Sequence, residues 1–419
     1  MQRYDTYKDS GVKWLGEIPS HWEMRKMKFS FEERSQKGFP NLPLLAATQN
    51  HGVIRKTDYE NRTVEATKSL DTLKLVEIGD FVISLRSFQG GIELCYEKGI
   101  ISPAYTILRP THITAGYFKH LGKSPIFIQL LKSMVTGIRE GQNIDYGKLR
   151  ENLLPIPPIA EQTAIASYLD TVTTKIDAAI AQQQKMIDLL NERKQIIINR
   201  AVTKGLNPNA RMKDSGVEWI GEVPEGWDII PLKAIISFVN GYAFDSNDFK
   251  NEGDVRVIRI SNIADGTIDY EGIAFVRQNQ SLCSYLTKAG DLLIAMSGAT
   301  TGKVGFDNIG GAYVNQRVGI IRSDFQKWVY YWLNTSYFKE YIYLSALGSA
   351  QPNISSKGIK NFRILFPLIE DYERIIENLE LLCQKVDDAI GSCKNQISLL
   401  QERKQIIINE VVTGKIKVN

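Results

Sequence analysis

The stretch DSGVKWLGEIPSHW, Asp9 to Trp22, returns 205 residues later as DSGVEWIGEVPEGW, Asp214 to Trp227, with nine of fourteen positions identical. A second signature, LLNERKQIIINRAVT at Leu189 to Thr203, returns 210 residues later as LLQERKQIIINEVVT at Leu399 to Thr413, twelve of fifteen identical. The chain is therefore one plan written twice: short signature, long middle, helical signature. The middles have diverged to a skeleton. Gly79-Asp80-Phe81-Val82-Ile83 answers Gly290-Asp291-Leu292-Leu293-Ile294, and Gln142-Asn143-Ile144 before Pro157 answers Asn353-Ile354 before Pro367. A Gly-Asp pair followed by an apolar run reads as a turn entering a buried strand. A constant frame around two divergent inserts suggests two similar binding modules of different specificity held in one geometry.

Between Ile159 and Lys204 there is no Gly or Pro, Pro158 and Glu161 suit a first helical turn, and Gly205 with Pro208 ends the run. This predicts a helix of roughly 46 residues, about 70 Å long. Leu169, Val172, Ile176, Ala179, Met186, Leu190 and Ile197 form a heptad-like seam, and Leu379, Leu382, Val386, Ala389, Leu400 and Ile407 repeat it in the second half. Gln183 and its counterpart Cys393 interrupt both seams near the middle, as a device that fixes register or, the preferred reading, as neutral filler. Two equivalent helices in one chain can pack antiparallel about a pseudo-twofold axis. The expected fold is a mixed α/β chain with two recognition domains joined by an antiparallel coiled coil. The expected segments are a first domain over 1–158, a first helix over 159–205, a second domain over 206–366, and a second helix with its tail over 367–419.

Composition narrows the class without naming it. At 43% apolar and 23% charged residues, the 419-residue chain is an ordinary globular one. No apolar run is long enough to cross a bilayer and no apolar leader follows the charged opening, so a cytoplasmic protein is expected. Cys95, Cys283, Cys383 and Cys393 lack CxxC spacing, and all four histidines precede residue 122, so neither a zinc site nor a disulfide framework is suggested. Net charge is only +4, with 22 Lys+Arg against 17 Asp+Glu over 1–158 and 16 against 16 over 206–366. Any charge that meets nucleic acid must be local or supplied by a partner.

The IPPIAEQ run at Ile156 to Gln162 before a long helix, NGYAF at Asn240 to Phe244, GDLLIAMSGATTGKVG at Gly290 to Gly305 and VNQRVGIIR at Val314 to Arg322 resemble the DNA specificity subunits of type I restriction-modification systems. The resemblance covers essentially the whole chain, and order, duplication and helix placement agree. It implies two target-recognition domains, each reading one half of a split double-stranded DNA site, and helices that set the gap and dock two methyltransferase subunits. It also implies translocating restriction endonuclease subunits as further partners. Catalysis then belongs to those partners, with S-adenosylmethionine, ATP and magnesium on them and no cofactor on this chain. The first half departs from the pattern, since Ser84 to Gly91 (SLRSFQGG) replaces the SGATTGK run.

Motifs of enzyme chemistry are incomplete in the same segments. Gly298 to Val304 (GATTGKV) has one intervening residue too few for a phosphate loop, and Val304 stands where Ser or Thr should bind magnesium. Ser102-Pro103-Ala104-Tyr105 approaches an amino-methyltransferase tetrapeptide but lacks its second proline and a glycine-rich cofactor loop. A self-sufficient nuclease or methyltransferase is thus disfavoured, and a scaffold that joins proteins without DNA is the other alternative. Base edges are read by Arg, Lys, Asn, Gln, Ser and Thr. The candidates are Arg55, Arg86, Ser87, Gln89, Tyr105, Gln142 and Asn143 in the first domain. In the second they are Arg259, Asn262, Thr300, Thr301, Lys303, Gln316 and Arg317.

Overall fold

The computed structural model describes residues 2–48, 51–58, 70–84, 91–136, 143–217, 220–345 and 352–418. The chain divides into two compact units, residues 1–184 with 394–419, and residues 185–393. Each long helix is shared, the first running over Ile159–Lys204 and the second over Ile369–Val412, so each unit owns one half of both. The cause is the apolar content of the helix ends: Ile165 and Leu169 are sealed in the first unit's core together with Ile408, Val411 and Val412.

In the first unit the opening signature forms a hairpin, Tyr7–Asp9 against Glu17–Pro19. Strand Glu23–Lys26 then pairs antiparallel with Leu153–Ile156, which leads directly into the first long helix. Between them lies a four-stranded sheet in the order Phe31–Arg34, Thr106–Pro110, Phe81–Ile83, Glu93–Leu94. Two helices, Ala115–Leu121 and Pro125–Ser133, cover it, each started by a hydroxyl that accepts from the backbone three residues on, Thr114 from Tyr117 and Ser124 from Phe127. The buried rings of Phe31, Phe81, Phe118 and Phe127 meet edge to face between sheet and helices.

The second unit repeats this order with a larger sheet. Its hairpin is Met212–Asp214 against Glu222–Pro224, and Asp228–Pro231 pairs with Arg363–Phe366 ahead of the second long helix. The main sheet has five strands, Ser237–Asn240, Val318–Arg322, Asp291–Ala295, Val304–Asp307 and Gly266–Thr267. A second sheet sets Val255–Ile258 between Ala274–Val276 and Tyr313–Val314, the latter pair parallel. Helices Gln326–Leu333 and Ser336–Ser345 close the core around Trp328 and Trp332, whose indole N–H groups both donate to the Leu365 carbonyl.

The Gly-Asp skeleton folds as expected in both units. Gly79 and Gly290 take φ of +89° and +90°, a conformation that a side chain strains. The following aspartate accepts the backbone N–H three residues back, Asp80 from Glu77 and Asp291 from Lys288, and binds a guanidinium. Arg34 reaches Asp80 at 2.7 Å, while Arg322 reaches Asp291 at 2.6 Å. These arginines come from different strands of the plan, so the two heads solve one electrostatic need separately.

The two helices run in opposite directions within each unit. In the second, Lys194 meets Asp387 and Gly205 lies beside Ile375; in the first, Asp177 meets Lys404. The seam is close to the expected one, with a change of phase in the middle. Leu169, Ile176, Leu379, Val386 and Ile407 are buried, but Met186 faces outward and Ile187 takes its place. Ile198 rather than Ile197 is the more deeply buried of that pair. Runs such as Ile196-Ile197-Ile198 offer several apolar phases, and packing selects one.

Candidate nucleic-acid interface

In the second unit, four separate segments converge where the strands of both sheets end. The parallel pair Ile258 with Val314 is extended by the Asn315 N–H donating to the Ile258 carbonyl, which sets Arg259 beside the Asn315-Gln316-Arg317 turn. The turn Gly298–Thr300 lies next to it, since the Thr300 hydroxyl donates to the Ile260 carbonyl at 3.4 Å. The Met296 N–H donates to the Arg317 carbonyl, and the Met296 carbonyl accepts from Ile354. The Gly298 N–H and the Thr301 hydroxyl both donate to the Pro352 carbonyl. The segment resembling a phosphate loop thus joins strand to strand through one short 3-10 turn and opens no α-helix.

Of the seven candidates here, six lie at this edge with at least part of their surface exposed. Arg259, Thr300 and Thr301 are half-buried, while Lys303, Gln316 and Arg317 are exposed. The hydroxyls of Thr300 and Thr301 are engaged within the loop. Among the described residues, the one carboxylate that Lys303 meets is that of the solvent-exposed Asp265, at 4.0 Å. Asn262 behaves differently, being only 4% exposed. Its side-chain oxygen accepts from the Arg259 backbone and its amide donates to the Asp269 carbonyl, so it holds the turn from inside.

Sequence reasoning missed the aromatic wall beside these residues. Tyr242, Phe244, Phe249, Tyr285 and Tyr313 are in ring contact, with centroids from 4.9 to 6.1 Å apart. The Arg259 guanidinium lies 5.9 Å from the Phe249 ring. The NGYAF run carried the signal: Tyr242 donates its N–H to Val314, and a Cβ at Gly241 would stand 2.0 Å from the Asn315 carbonyl oxygen, so only glycine permits this approach.

The first unit's candidates are less gathered. Arg86, Ser87, Gln89 and Gln142 lie outside the described residues, and Asn143 starts the short strand Asn143–Ile144. Arg55 is exposed and its Nε donates to Glu97 at 2.7 Å, which offsets its charge locally. Tyr105 packs on the apolar cluster of Leu45, Val53 and Val82, and its carbonyl accepts from Lys74. Tyr105 and Arg55 are therefore separately anchored.

The frame beneath both edges is strongly tied. Glu161, in the first turn of the long helix, accepts from the Trp22 indole at 3.0 Å and from His21 at 2.9 Å. Gln162, the last residue of the IPPIAEQ run, is buried; it accepts from Thr114 and donates to the Pro157 carbonyl. Asp145 and Ser355, 210 residues apart, each cap a short helix. Among the described residues no helix is long and apolar enough to cross a membrane.

A duplicated frame, two strand-rich heads and a shared pair of long helices define a bipartite recognition scaffold. A family model for the type I restriction modification DNA specificity domain matches residues 224–397. The chain is 28% identical to the type I restriction enzyme MjaVIII specificity subunit of Methanocaldococcus jannaschii, over 70% of this chain and 69% of that one. It is 24% identical to the putative type I restriction enzyme MjaX specificity subunit of the same organism, over 98% of both chains. It also resembles the type I restriction enzyme EcoKI specificity subunit of Escherichia coli, at 24% identity over 74% of this chain and 68% of that one. Among solved structures, one described as the structural basis of complex assembly and conformational transition of the type I R-M system superposes with a TM-score of 0.70. It covers 95% of this chain and 99% of its own at 16% identity, a likeness of fold. Residues 224–397 thus match the type I restriction modification DNA specificity domain, and the whole chain is similar to type I restriction enzyme specificity subunits.

Proposed function

We propose that this chain reads a bipartite double-stranded DNA target for a type I restriction-modification complex in the cytoplasm, each unit reading one half. The observation that carries the reading is the constant frame around two different heads: hairpin, strand pair and helix repeat, while sheets of four and five strands and their loops differ. Reading one half-site each requires constant mounting and variable edges. In the second unit Arg259, Thr300, Thr301, Lys303, Gln316 and Arg317 supply the polar and cationic groups for base edges and phosphates. Asn262 supports them. In the first unit Arg55, Arg86, Ser87, Gln89, Tyr105, Gln142 and Asn143 have that role.

The long helices set the gap between half-sites and dock two methyltransferase subunits. Their outer faces support this: Leu189 and Ile196 are 51% and 58% exposed, and their equivalents Leu399 and Ile406 are 55% and 48% exposed. Apolar residues that repeat in sequence and stay about half exposed in both units suit two copies of one partner. Methylation, translocation and cleavage are carried out by partner subunits, which hold S-adenosylmethionine, ATP and magnesium. The chain itself is not catalytic.

The test is to produce the chain with its methyltransferase partner in cells and sequence the methylated genomic DNA. A split motif with a fixed gap is expected. Exchanging residues 228–363 for the equivalent segment of another family member should change one half of that motif, and a change in both halves would overturn the assignment of one half to each unit.

A further inference from the structure

Arg259 differs from every other cation at the second unit's edge in being held. Its guanidinium lies 5.9 Å from the Phe249 ring centroid, and its Nε is buried with no hydrogen-bond partner among the described residues. Its backbone is fixed by the enclosed side chain of Asn262, which accepts from the Arg259 N–H at 3.0 Å and is itself tied to the Asp269 carbonyl at 3.1 Å. Arg259 also sits centrally, between the Gly298–Thr300 turn and the Gln316-Arg317 turn, whereas Lys303 and Arg317 are exposed. A buried donor left unpaired in a polar edge calls for an explanation, and an absent partner is the simplest one.

Resting on the DNA-reading function proposed above, we infer that Arg259 is a specificity-determining residue of the second half-site, donating its paired N–H groups to the O6 and N7 edge of one guanine, and that Asn262 is its positioning residue. A fork pre-set by an aromatic face loses little freedom on binding and rejects bases that cannot accept two parallel hydrogen bonds. Phosphate recognition needs no such constraint and suits the exposed Lys303 and Arg317. Asn262 does not reach DNA; its deletion acts by releasing the backbone from which Arg259 projects.

The experiment uses the complex of the full chain with its methyltransferase partner and a DNA library randomised through both half-sites, read by methylation-dependent sequencing. The wild-type complex is read first; a methylated split motif must appear, and its absence would remove the DNA-reading function along with this inference. Given that motif, Arg259→Lys keeps the charge but breaks the fork. It should lower discrimination at one G·C pair of one half-site by about 10- to 100-fold, leaving other positions and the salt dependence of binding unchanged. Asn262→Ala should relax the same pair and no other, while Asn262→Asp, which keeps the acceptor for the Arg259 N–H, should restore part of the preference. Thermal unfolding of each variant verifies that the unit is folded. A wild-type motif left intact by Arg259→Lys, or a loss spread evenly over all positions, would overturn the assignment of Arg259. A relaxed position under Arg259→Lys that Asn262→Ala does not share would overturn the role of Asn262.

Discussion

Lys194 grips Asp387 across the second unit's helix pair, its Nζ 2.6 and 2.7 Å from the two carboxylate oxygens. A shift of 210 residues carries Asp177 to Asp387 and Lys194 to Lys404, and Lys404 grips Asp177 at 2.7 Å in the first unit. The same ion pair is thus made twice with the helices exchanging roles. All four side chains keep contact with water, so the pairs select register more than they add stability.

Reversing one pair should be cheap to repair. Lys194→Asp alone is expected to destabilise the second unit by about 1 kcal/mol, and adding Asp387→Lys should recover most of it, for a coupling of roughly 0.2–1 kcal/mol that shrinks in high salt. A double-mutant cycle followed by urea denaturation measures this.

The core beneath the first head should be far less tolerant. Leu169 is fully buried in the cluster that holds Tyr117, Ile407 and Val411, so Leu169→Ala should cost roughly 2–5 kcal/mol. Hydrogen exchange should show the loss across residues 1–184 and 394–419 before it shows in residues 185–393.

Acid should weaken the first unit through His120. Burial holds its pKa below the ordinary value, opposed by its hydrogen bond to Asp170 at 2.8 Å, with Lys119 and Lys404 further disfavouring the charged form. The folded state therefore binds this proton less readily than the unfolded chain. The contribution is complete above about pH 6.5, where both states are neutral, and is lost as pH falls from the unfolded value toward the folded one. His120→Asn should flatten that part of the stability profile, as followed by thermal unfolding from pH 7.5 to 5.

Lys303 should act without regard to sequence. It is exposed, and its one ion pair among the described residues is a long contact with Asp265, so Lys303→Gln in the methyltransferase complex should weaken all DNA sites alike. The slope of log affinity against log salt should fall by about 0.9. Binding titrations at several salt concentrations on two different targets would distinguish this from a change of preference.

Helix length should set the gap. Four residues inserted after Gln183 extend the first long helix by about 6 Å and rotate its C-terminal half by about 40°. The same half-sites should then be methylated with one or two more base pairs between them, and an active variant with an unchanged gap would refute the ruler. The insertion also disturbs heptad phase, which sets a cost in stability.

Much of this architecture was legible because it is local or repeated. Helix limits followed from an uninterrupted run between Pro158 and Gly205, and the Gly79 and Gly290 turns followed from their dipeptides. Phase within the helices was less legible where apolar residues adjoin, as at Met186 and Ile187. The edge of the second unit was half legible. Arg259 and Arg317 are of the right type, but Asn262 has the same chemistry and lies inside, and nothing local separates the two cases. The aromatic wall depends on the parallel pairing of Ile258 with Val314, a contact across more than fifty residues that no local pattern reveals.

The sharing of both long helices also orders the birth of the protein. The second unit is contiguous, residues 185–393, and can close once residue 393 has cleared the ribosome. The first unit, although its head is synthesised earliest, waits for Ile407, Ile408, Val411 and Val412 to cover Ile165 and Leu169. Through most of translation that apolar strip has no native cover. The head made first is therefore the one finished last, and the nascent chain must be kept from aggregating until its final turns of helix arrive.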